Sequence, residues 1–298
     1  MPSPDFRDRA LTAILAGGQA QLPWNKVLTN TLAGSVSCLF QASGAPGAGT
    51  YQGSVKNVYP VTPGAYESLL SDTAQGTPSS MRNLLIKLEA LSTVANQQGL
   101  LLVGDLLATY RGLPADSGVA QDLSLVGSAA GASVLPRYSE GRGVRIFGDV
   151  TTAFGATPVT LTVSYTNELG TSGRTSTSTT VASVPAGRSL AINKREPFSL
   201  DLQSGDKGVR SLQTATLSGT TGAAGVYTLF LYRPLFLLNL AQAPTGNQHN
   251  VGIMNGPSET LAPELLPGCV PIFFWLPTTA VNDIICGIMT TLQVNKGR

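Results

Sequence analysis

A long segment near the C-terminus almost lacks charge. No Lys or Arg occurs among the 62 residues from 234 to 295, and the only charged side chains there are Glu259, Glu264 and Asp283. The same segment is rich in Leu, Ile, Phe and Val, whose removal from water is worth roughly 25 cal/mol per Å² of apolar surface. These side chains must therefore be covered by a core, a membrane or a partner.

A membrane-spanning role does not fit this segment. A spanning helix needs about 20 apolar residues in a row, and the most apolar window, residues 267–292, is interrupted by Pro267, Pro271 and Pro277. Proline removes a backbone donor and breaks helix interiors, so the window predicts short strands joined by turns. The apolar stretch 10–16 is too short for the core of a signal peptide. We therefore expect neither a membrane contact nor a cleaved leader.

The overall composition favours strands and turns. Charged residues make up 12% of the chain, about half the usual share of roughly 25%. The chain also contains 33 Gly and 19 Pro, which favour turns over long solvated helices. A charge-poor surface of this kind is typical of chains with extensive permanent interfaces.

The three cysteines show neither a metal-binding nor a disulfide pattern. Cys38, Cys269 and Cys286 are odd in number, widely spaced and embedded in largely apolar sequence. We expect them to be free thiols in a chain that folds in a reducing cytoplasm.

Few residues are arranged as catalytic or cofactor-binding groups. The single histidine, His249, lies in a polar loop, and the chain has no nucleophile elbow and no phosphate-binding loop. The glycine-rich stretch 44–49 contains a proline and precedes no predicted helix, so it does not indicate a dinucleotide site. The carboxylates of the β-rich part lack the spacing of a catalytic pair: Glu140, Asp149, Glu168 and Asp201. The sequence therefore predicts no enzyme, no cofactor and no metal site.

The densest basic group is Arg137, Arg142 and Arg145, beside Tyr138. Arginines next to aromatic side chains are found in sites that bind single-stranded nucleic acid, so such a contact is one interpretation. Glu140 and two nearby glycines instead favour a hairpin loop whose charges are solvated or paired. Because the chain has no longer basic run, we expect no direct nucleic-acid binding.

Two helices are predicted in the first hundred residues. The first covers residues 5–16, and the second runs from Ser79 or Ser80 to about Gly99, where a buried strand begins. The apolar side chains that define the helices recur every three or four residues: Phe6, Leu11, Ile14 and Leu15 in the first, and Met81, Leu84, Leu85, Leu88 and Leu91 in the second.

From about residue 135 the apolar pattern changes to a period of two. Residues 159–166 alternate Val, Leu, Val and Tyr with Thr and Ser, as in an antiparallel strand with one face in water. Further short strands separated by Gly-rich turns follow, including 226–232, 270–275 and 284–294. We predict a mainly β fold with a helical N-terminal part (α+β), built on an antiparallel β-sandwich or jelly-roll-like core.

The pattern divides the chain into three regions. Residues 1–130 form a mixed α/β region, residues 131–240 the antiparallel β-sandwich, and residues 241–298 a set of apolar strands that we expect to make an oligomer or lattice contact. The strand at 272–275 is apolar on both faces, so one face needs cover from outside its own sandwich. The interface candidates are Leu235, Phe236, Ile272, Phe273, Phe274 and Trp275. We expect a Phe274→Asp protein to fold but to dissociate.

Three segments resemble structural proteins of tailed-bacteriophage particles. They are LPRYSEGRGVRIF at 135–147, DVTTAFGATPVTLTVSYTN at 149–167 and TATLSGTTGAAGVYTL at 214–229. The likeness covers about residues 100–240 and lies in pattern and composition, so no functional residue is carried over.

The resemblance implies a particle component, with a head decoration (cement) protein as its leading form. The implied partners are copies of the chain itself and the major capsid protein or other virion proteins. The charge-poor residues 234–295 predict a homo-oligomer, with a trimer as the expected stoichiometry. The implied location is the virion, after synthesis in the host cytoplasm. A tail or adaptor protein, or a receptor- or glycan-binding β-sandwich protein, is the alternative.

Overall fold

In a computed structural model, the chain is all-β over the residues that are described. These are residues 19–28, 33–39, 42–45, 56–58, 81–92, 98–125, 133–176, 179–190, 197–240, 250–253, 263–266, 268–278 and 283–295. No helix occurs among them. The prediction of a helical N-terminal part is therefore wrong for the described residues, and the first predicted helix, residues 5–16, lies outside them.

The structure contains the following strands in its described part: β1 (Gln19–Leu28), β2 (Ser37–Cys38), β3 (Ser43–Ala45), β4 (Lys56–Val58), β5 (Met81–Ser92), β6 (Gly99–Pro114), β7 (Gln121–Asp122), β8 (Arg145–Thr152), β9 (Val159–Asn167), β10 (Arg174–Thr175), β11 (Thr179–Val181), β12 (Arg188–Ser189), β13 (Val209–Leu217), β14 (Val226–Leu240), β15 (Asn250–Ile253), β16 (Glu264–Leu265), β17 (Pro271–Pro277) and β18 (Asp283–Asn295).

The strands form three sheets, and all of their pairings are antiparallel. Sheet A has the order β15-β5-β18-β1-β3, with β16 also on β5. Sheet B has the order β12-β8-β14-β6-β17-β2, with β4 also on β6. Sheet C has the order β10-β9-β13-β7, with β11 also on β9.

Sheet B closes into a barrel. Its two edge strands, β12 and β2, meet where the backbone N–H of Ser189 donates to the carbonyl of Val36 at 3.0 Å. The ring centroids of Phe147 in β8 and Phe274 in β17 are 4.6 Å apart, although β14 and β6 lie between the two strands. In a flat sheet, three strand spacings would separate the rings by about 14 Å, so the sheet must curl around them.

The other two sheets cover the outside of the barrel. Along β14, Leu229 and Leu231 belong to the core cluster that includes sheet C, whereas Phe230 between them belongs to the cluster that includes the barrel interior. On the other side, Trp24 of sheet A stacks on Phe273 of β17, with ring centroids 4.5 Å apart. Sheet B is therefore the middle layer of three, and its strands are apolar on both faces for that reason.

The second predicted helix is strand β5 instead, and a bulge explains its helical spacing. Opposite β18, the pairing steps from Leu85 directly to Lys87, which leaves Ile86 as an extra residue. The extra residue shifts the alternation of the strand by one position. Leu85 and Leu88 thus belong to one core cluster although they are three residues apart, while Leu84 belongs to a small separate cluster.

The predicted strand at residues 159–166 is confirmed as β9. Val159, Leu161 and Val163 are buried, and Thr160 and Thr162 between them are partly exposed. The turn that follows β9, at residues 170–173, has glycines with positive φ at both ends, a backbone conformation that only glycine adopts without strain. The predicted antiparallel β-sandwich core fits the packing of sheet C on sheet B.

The three predicted regions share their sheets. Sheet B takes β6 from residues 1–130, β14 from residues 131–240 and β17 from residues 241–298. Strand β6 pairs with both of the others. The division into three regions stays a prediction, but the barrel is built from all of them.

Candidate interaction surfaces

Four of the six predicted interface residues lie inside the chain. The residues that are 0% exposed are Ile272, Phe273, Phe274 and Trp275. Phe274 packs in the barrel against Tyr232, with ring centroids 4.7 Å apart, while Phe273 faces sheet A. The chain itself therefore covers both faces of β17. The sequence pattern predicts instead that a partner covers one of these faces. The role of these residues in contacts between molecules stays a prediction.

The second half of β14 has an open edge. Strand β8 pairs with β14 only from Val226 to Tyr232, whereas β6 continues to pair with it as far as Leu240. Beyond Tyr232, no other described strand pairs with β14. Within the described part of the chain, one side of residues 233–240 therefore has no strand partner for its backbone N–H and C=O groups, as at the edge of a sheet.

Leucines form an exposed apolar surface beside this edge. Leu237 lies opposite Leu102, and Leu276 lies opposite Leu100. These side chains share the inner face of the barrel wall with Phe274, because residues two apart on a strand, or opposite each other on neighbouring strands, share a face. Leu237 is 53% exposed, and Leu100 and Leu276 are half-buried. We call Leu100, Leu237 and Leu276 the leucine patch.

Leu235 and Phe236, the other two predicted interface residues, lie at a bulge next to the patch. The pairing with β6 steps from Pro234 to Phe236, so Leu235 is the extra residue. Both side chains are half-buried against the largest core cluster. Because no charged residue lies between Pro234 and Leu240, the patch and the bulge form a surface without charge along β14.

Sequence reasoning missed the leucine patch. Leu100 and Leu276 come from distant parts of the chain, and only the register of β6 with its two neighbours brings them close to Leu237. Leu237 itself did carry a signal, since it follows two predicted interface residues in the uncharged segment.

Other exposed large apolar side chains of the described residues are isolated or paired. Leu169, at the tip of the β9–β10 hairpin, is 79% exposed, and Val119 is 70% exposed. Val27 and Ile284 lie opposite each other in β1 and β18. Scattered apolar side chains are ordinary on protein surfaces, so the leucine patch beside an open edge is the stronger candidate.

Arg137 is not part of a basic surface. Its buried guanidinium donates two hydrogen bonds to the Asp105 carboxylate, at 2.7 and 2.8 Å, and one to the Leu106 carbonyl at 2.9 Å. The Val270 N–H also donates to Asp105, at 3.0 Å. Burial raises the pKa of Asp105, and the bonds from Arg137 oppose the rise. A buried, fully bonded pair such as this joins segments of the fold and leaves the guanidinium inaccessible to nucleic acid.

The rest of the predicted basic group also makes contacts within the fold. Arg145 donates to the Lys207 carbonyl at 3.0 Å, and Arg233 donates to the carbonyl of Arg142. The Arg233 guanidinium lies over the Tyr138 ring, 5.4 Å from its centroid, within the range of a cation–π contact. These contacts fit the interpretation of a hairpin loop with paired polar groups.

A buried carboxyl group lies at the seam where the barrel closes. Asp149 in β8 lies opposite Ser189 in β12, and the adjacent Arg188 donates across the seam to the Ser37 hydroxyl at 2.7 Å. Burial raises the pKa of Asp149 to about 8, although the Arg188 charge lowers it in part. One oxygen of Asp149 has no hydrogen-bond partner. A buried carboxyl without such a partner favours its neutral form.

A second carboxylate organises the hairpin turn of sheet C. Asp206 accepts hydrogen bonds from the Arg174 guanidinium at 3.0 Å, the Asn167 amide at 2.9 Å and the Tyr165 hydroxyl at 2.7 Å. Burial raises the pKa of Asp206, but these bonds outweigh burial and hold it below its usual value. Glu168 nearby accepts from two backbone N–H groups. The arrangement braces a turn and places no second acid or base beside Asp206.

The three cysteines are free thiols, as predicted. Cys269 is buried, and Cys38 and Cys286 are half-buried. Burial raises the pKa of Cys269 well above its usual value, which lowers its reactivity.

The buried Lys26 amine donates to the Ala42 carbonyl at 3.1 Å, and burial lowers its pKa to about 8.

Among the described residues, no group of three His, Cys, Asp or Glu side chains is placed to hold a metal ion. A membrane-crossing helix is likewise absent from the described part of the chain. His249 and most of the glycine-rich stretch 44–49 lie outside the described residues.

Comparison with known proteins gives a weak likeness only. No protein-family model matches the chain, and no curated protein matches it. Among solved structures, infectious bursal disease virus of the Gx strain matches with 10% identity over 93% of this chain and 80% of that chain, at a TM-score of 0.19. The VP2 subviral particle of infectious bursal disease virus matches with 10% identity over 94% of this chain and 81% of that chain, at a TM-score of 0.20. The chain is thus weakly similar to viral capsid proteins, at TM-scores too low to establish a shared fold.

Proposed function

We propose that this chain is a structural subunit of a virus particle, without enzymatic activity, that acts through permanent contacts with copies of itself and with other particle proteins. The observation that carries the proposal is the leucine patch beside the open edge of β14. A soluble protein that works alone covers or charges such an edge, whereas residues 234–240 carry no charge. Burial in an assembly is a physical reason to keep that surface apolar.

Two groups of polar side chains that could suggest other functions are engaged within the fold. Arg137, the centre of the predicted basic group, is bound to Asp105 in the interior. Asp206 and Glu168 accept hydrogen bonds that brace a turn. Side chains committed to local packing in this way support a scaffold role more than catalysis or nucleic-acid binding.

Within the particle, the proposal is a head decoration (cement) protein of a tailed bacteriophage. It would stabilise the head through extensive contacts with the major capsid protein, and the trimer expected from the sequence belongs to this proposal. Its support is the resemblance of residues 100–240 together with the low charge content of 12%.

Self-association is tested by sedimentation of the purified chain at micromolar concentration. We expect an oligomer, because the uncharged surface along β14 is better covered than exposed. A stable monomer would contradict the proposal.

The place in the particle is tested by quantitative mass spectrometry of purified particles encoded by the same genome. A decoration protein is expected at a copy number close to that of the major capsid protein. A far smaller copy number would favour the tail, adaptor or receptor-binding alternative, and absence from the particles would overturn the structural role.

A further inference from the structure

We infer that residues 235–239 of β14 pair with the same residues of a second copy of the chain, so that one continuous antiparallel sheet joins two barrels. The inference rests on the proposed structural role and names the surface that would serve it. That surface is the open edge of β14 together with the leucine patch.

The edge is suited to accept a strand. Beyond Tyr232, the only described strand that pairs with β14 is β6. Natural edge strands are protected by charged side chains, short length or proline, and after Arg233 this segment has proline alone, at Pro234. Proline donates no backbone hydrogen bond, so Pro234 limits a new pairing to the residues that follow it. Among the described strands, none but β6 pairs with the rest of this edge, through Leu240.

A second copy of β14 is the partner that the edge fits best. Antiparallel pairing of a strand with its own copy has two-fold symmetry, and such a contact closes on itself without growing into a fibre. The absence of charge between Pro234 and Leu240 means that no like charges meet across the axis. Added strands gain affinity from main-chain hydrogen bonds and specificity from the side chains beside them.

The pleat of β14 limits the register of this contact, and we place its two-fold axis at Leu237, the midpoint of the uncharged residues 234–240. Side chains opposite each other in an antiparallel pair share a face, so the residue opposite Leu237 must have its side chain on the same face of the sheet as Leu237. With the two-fold axis at Leu237, Leu237 of one copy lies opposite Leu237 of the second copy, and Leu235 of each copy lies opposite Asn239 of the other. Leu237 and Asn239 are both exposed in the single chain. A slip by one residue would instead set Leu237 against the opposite face.

The pairing covers the leucine patch as well as the edge. Leu237 lies on the outermost strand of the patch, and Leu100 and Leu276 follow on β6 and β17. A strand added to β14 continues the barrel wall and places the second copy's Leu235 and Leu237 beside the first copy's patch. Because the contact is two-fold, it predicts a dimer. Where a three-fold contact also forms, it predicts that a chain of one trimer pairs with a chain of a neighbouring trimer.

The first test is Leu237→Lys, which places two like charges opposite each other on the axis. We expect association to weaken by at least about 30-fold, the equivalent of a hot spot of about 2 kcal/mol, in sedimentation equilibrium. Leu169→Lys is the matched control, because it puts the same charge at another exposed leucine, 79% exposed on the hairpin of sheet C. We expect the control to assemble like the unchanged chain.

The second test separates a two-fold contact from any other apolar contact. Leu237→Glu alone is expected to dissociate like Leu237→Lys, and an equimolar mixture of the two is expected to restore association as mixed pairs. Restoration requires that residue 237 faces residue 237. If the mixture stays dissociated, or if either single variant assembles like the unchanged chain, the inference is wrong.

A folding check keeps the tests decisive. Far-UV circular dichroism and thermal unfolding are expected to match the unchanged chain, because Leu237 is exposed. Should Leu237→Lys unfold, Asn239→Lys replaces it at an exposed polar position of the same face, and its normal assembly would overturn the inference. Assembly of all variants leaves the proposed structural role standing, whereas a monomeric unchanged chain overturns both.

Discussion

Two strands flank β6, and they show how similar sequences come to have different roles. Strand β17 and residues 234–240 of β14 are both uncharged and rich in large apolar side chains. Strand β17 pairs with β6 on one edge and with β2 on the other, and residues 272–275 are fully buried. Residues 233–240 pair with β6 alone among the described strands, and Leu237 is 53% exposed. The neighbours of a strand, more than its apolar content, decide whether it is core or surface.

Unequal strand lengths produce the difference. Strands β6 and β14 have 16 and 15 residues, whereas β8 has 8. Because β8 pairs with only part of β14, the barrel wall is incomplete beyond Tyr232. On the other side of β6, a strand of 2 residues, β2, is enough to cover the edge of β17 at Phe274 and Trp275.

The largest expected effect is the loss of folding in Phe274→Asp. Phe274 is 0% exposed and packs against Phe147 and Tyr232. Removing a buried phenylalanine costs about 3–5 kcal/mol, and a buried unpaired carboxylate adds a further penalty, together close to the whole stability of a domain. This replaces the dissociated but folded protein expected from the sequence.

Circular dichroism and the yield of soluble protein measure this effect. Phe274→Leu serves as the control, because it keeps the site apolar. A folded Phe274→Asp protein would mean that β17 is not core, and the comparison with β14 would fail.

Two neighbouring residues of β14 differ in burial. Leu238 is 4% exposed and belongs to the largest core cluster, whereas Leu237 is mainly exposed. We expect Leu238→Ala to lower the free energy of unfolding by about 2–5 kcal/mol, and Leu237→Ala to change it by no more than about 0.5–1 kcal/mol. Urea unfolding of both variants in the same oligomeric state measures the difference. Equal losses would show that this half of β14 is covered on both faces.

A further expected effect is a pH dependence that comes from Asp149 at the closed seam of the barrel. Its folded-state pKa is raised from 3.8 to about 8 by burial, so folding favours the protonated form. The stability that this gives is complete below about pH 4 and is lost as the pH rises through about 8, at up to about 1.4 kcal/mol per pH unit. Asp149→Asn is therefore expected to remove that decline between pH 5 and pH 8.

Melting temperatures measured across this pH range test the seam. Asp116→Asn, at an exposed carboxylate, is the control and is expected to keep the decline. An unchanged pH dependence in Asp149→Asn would mean that water reaches the seam and that the barrel is open there as well as at β14.

Strands β9 and β5 show where sequence reasoning succeeds and where it fails. In β9, buried residues alternate with half-exposed ones, so a period of two is visible in the sequence itself. In β5, the bulge at Ile86 gives Leu85 and Leu88 a helical spacing, and sheet A contributes to two separate core clusters. The apolar pattern of β5 results from a bulge and from packing in two separate clusters. Local spacing in the sequence reveals neither of them.

Residue type and local spacing in the sequence account for the β-rich composition, the alternation of β9, the lack of a disulfide framework and the absence of charge along residues 234–240. These properties are local, because they depend on residue type and on spacing within a single segment. Contacts between distant strands bury Arg137 with Asp105, make Phe274 part of the core and leave Leu237 exposed. Each of those outcomes depends on which distant strand lies alongside, and in an antiparallel barrel the partner and its length are set by the register of the whole sheet.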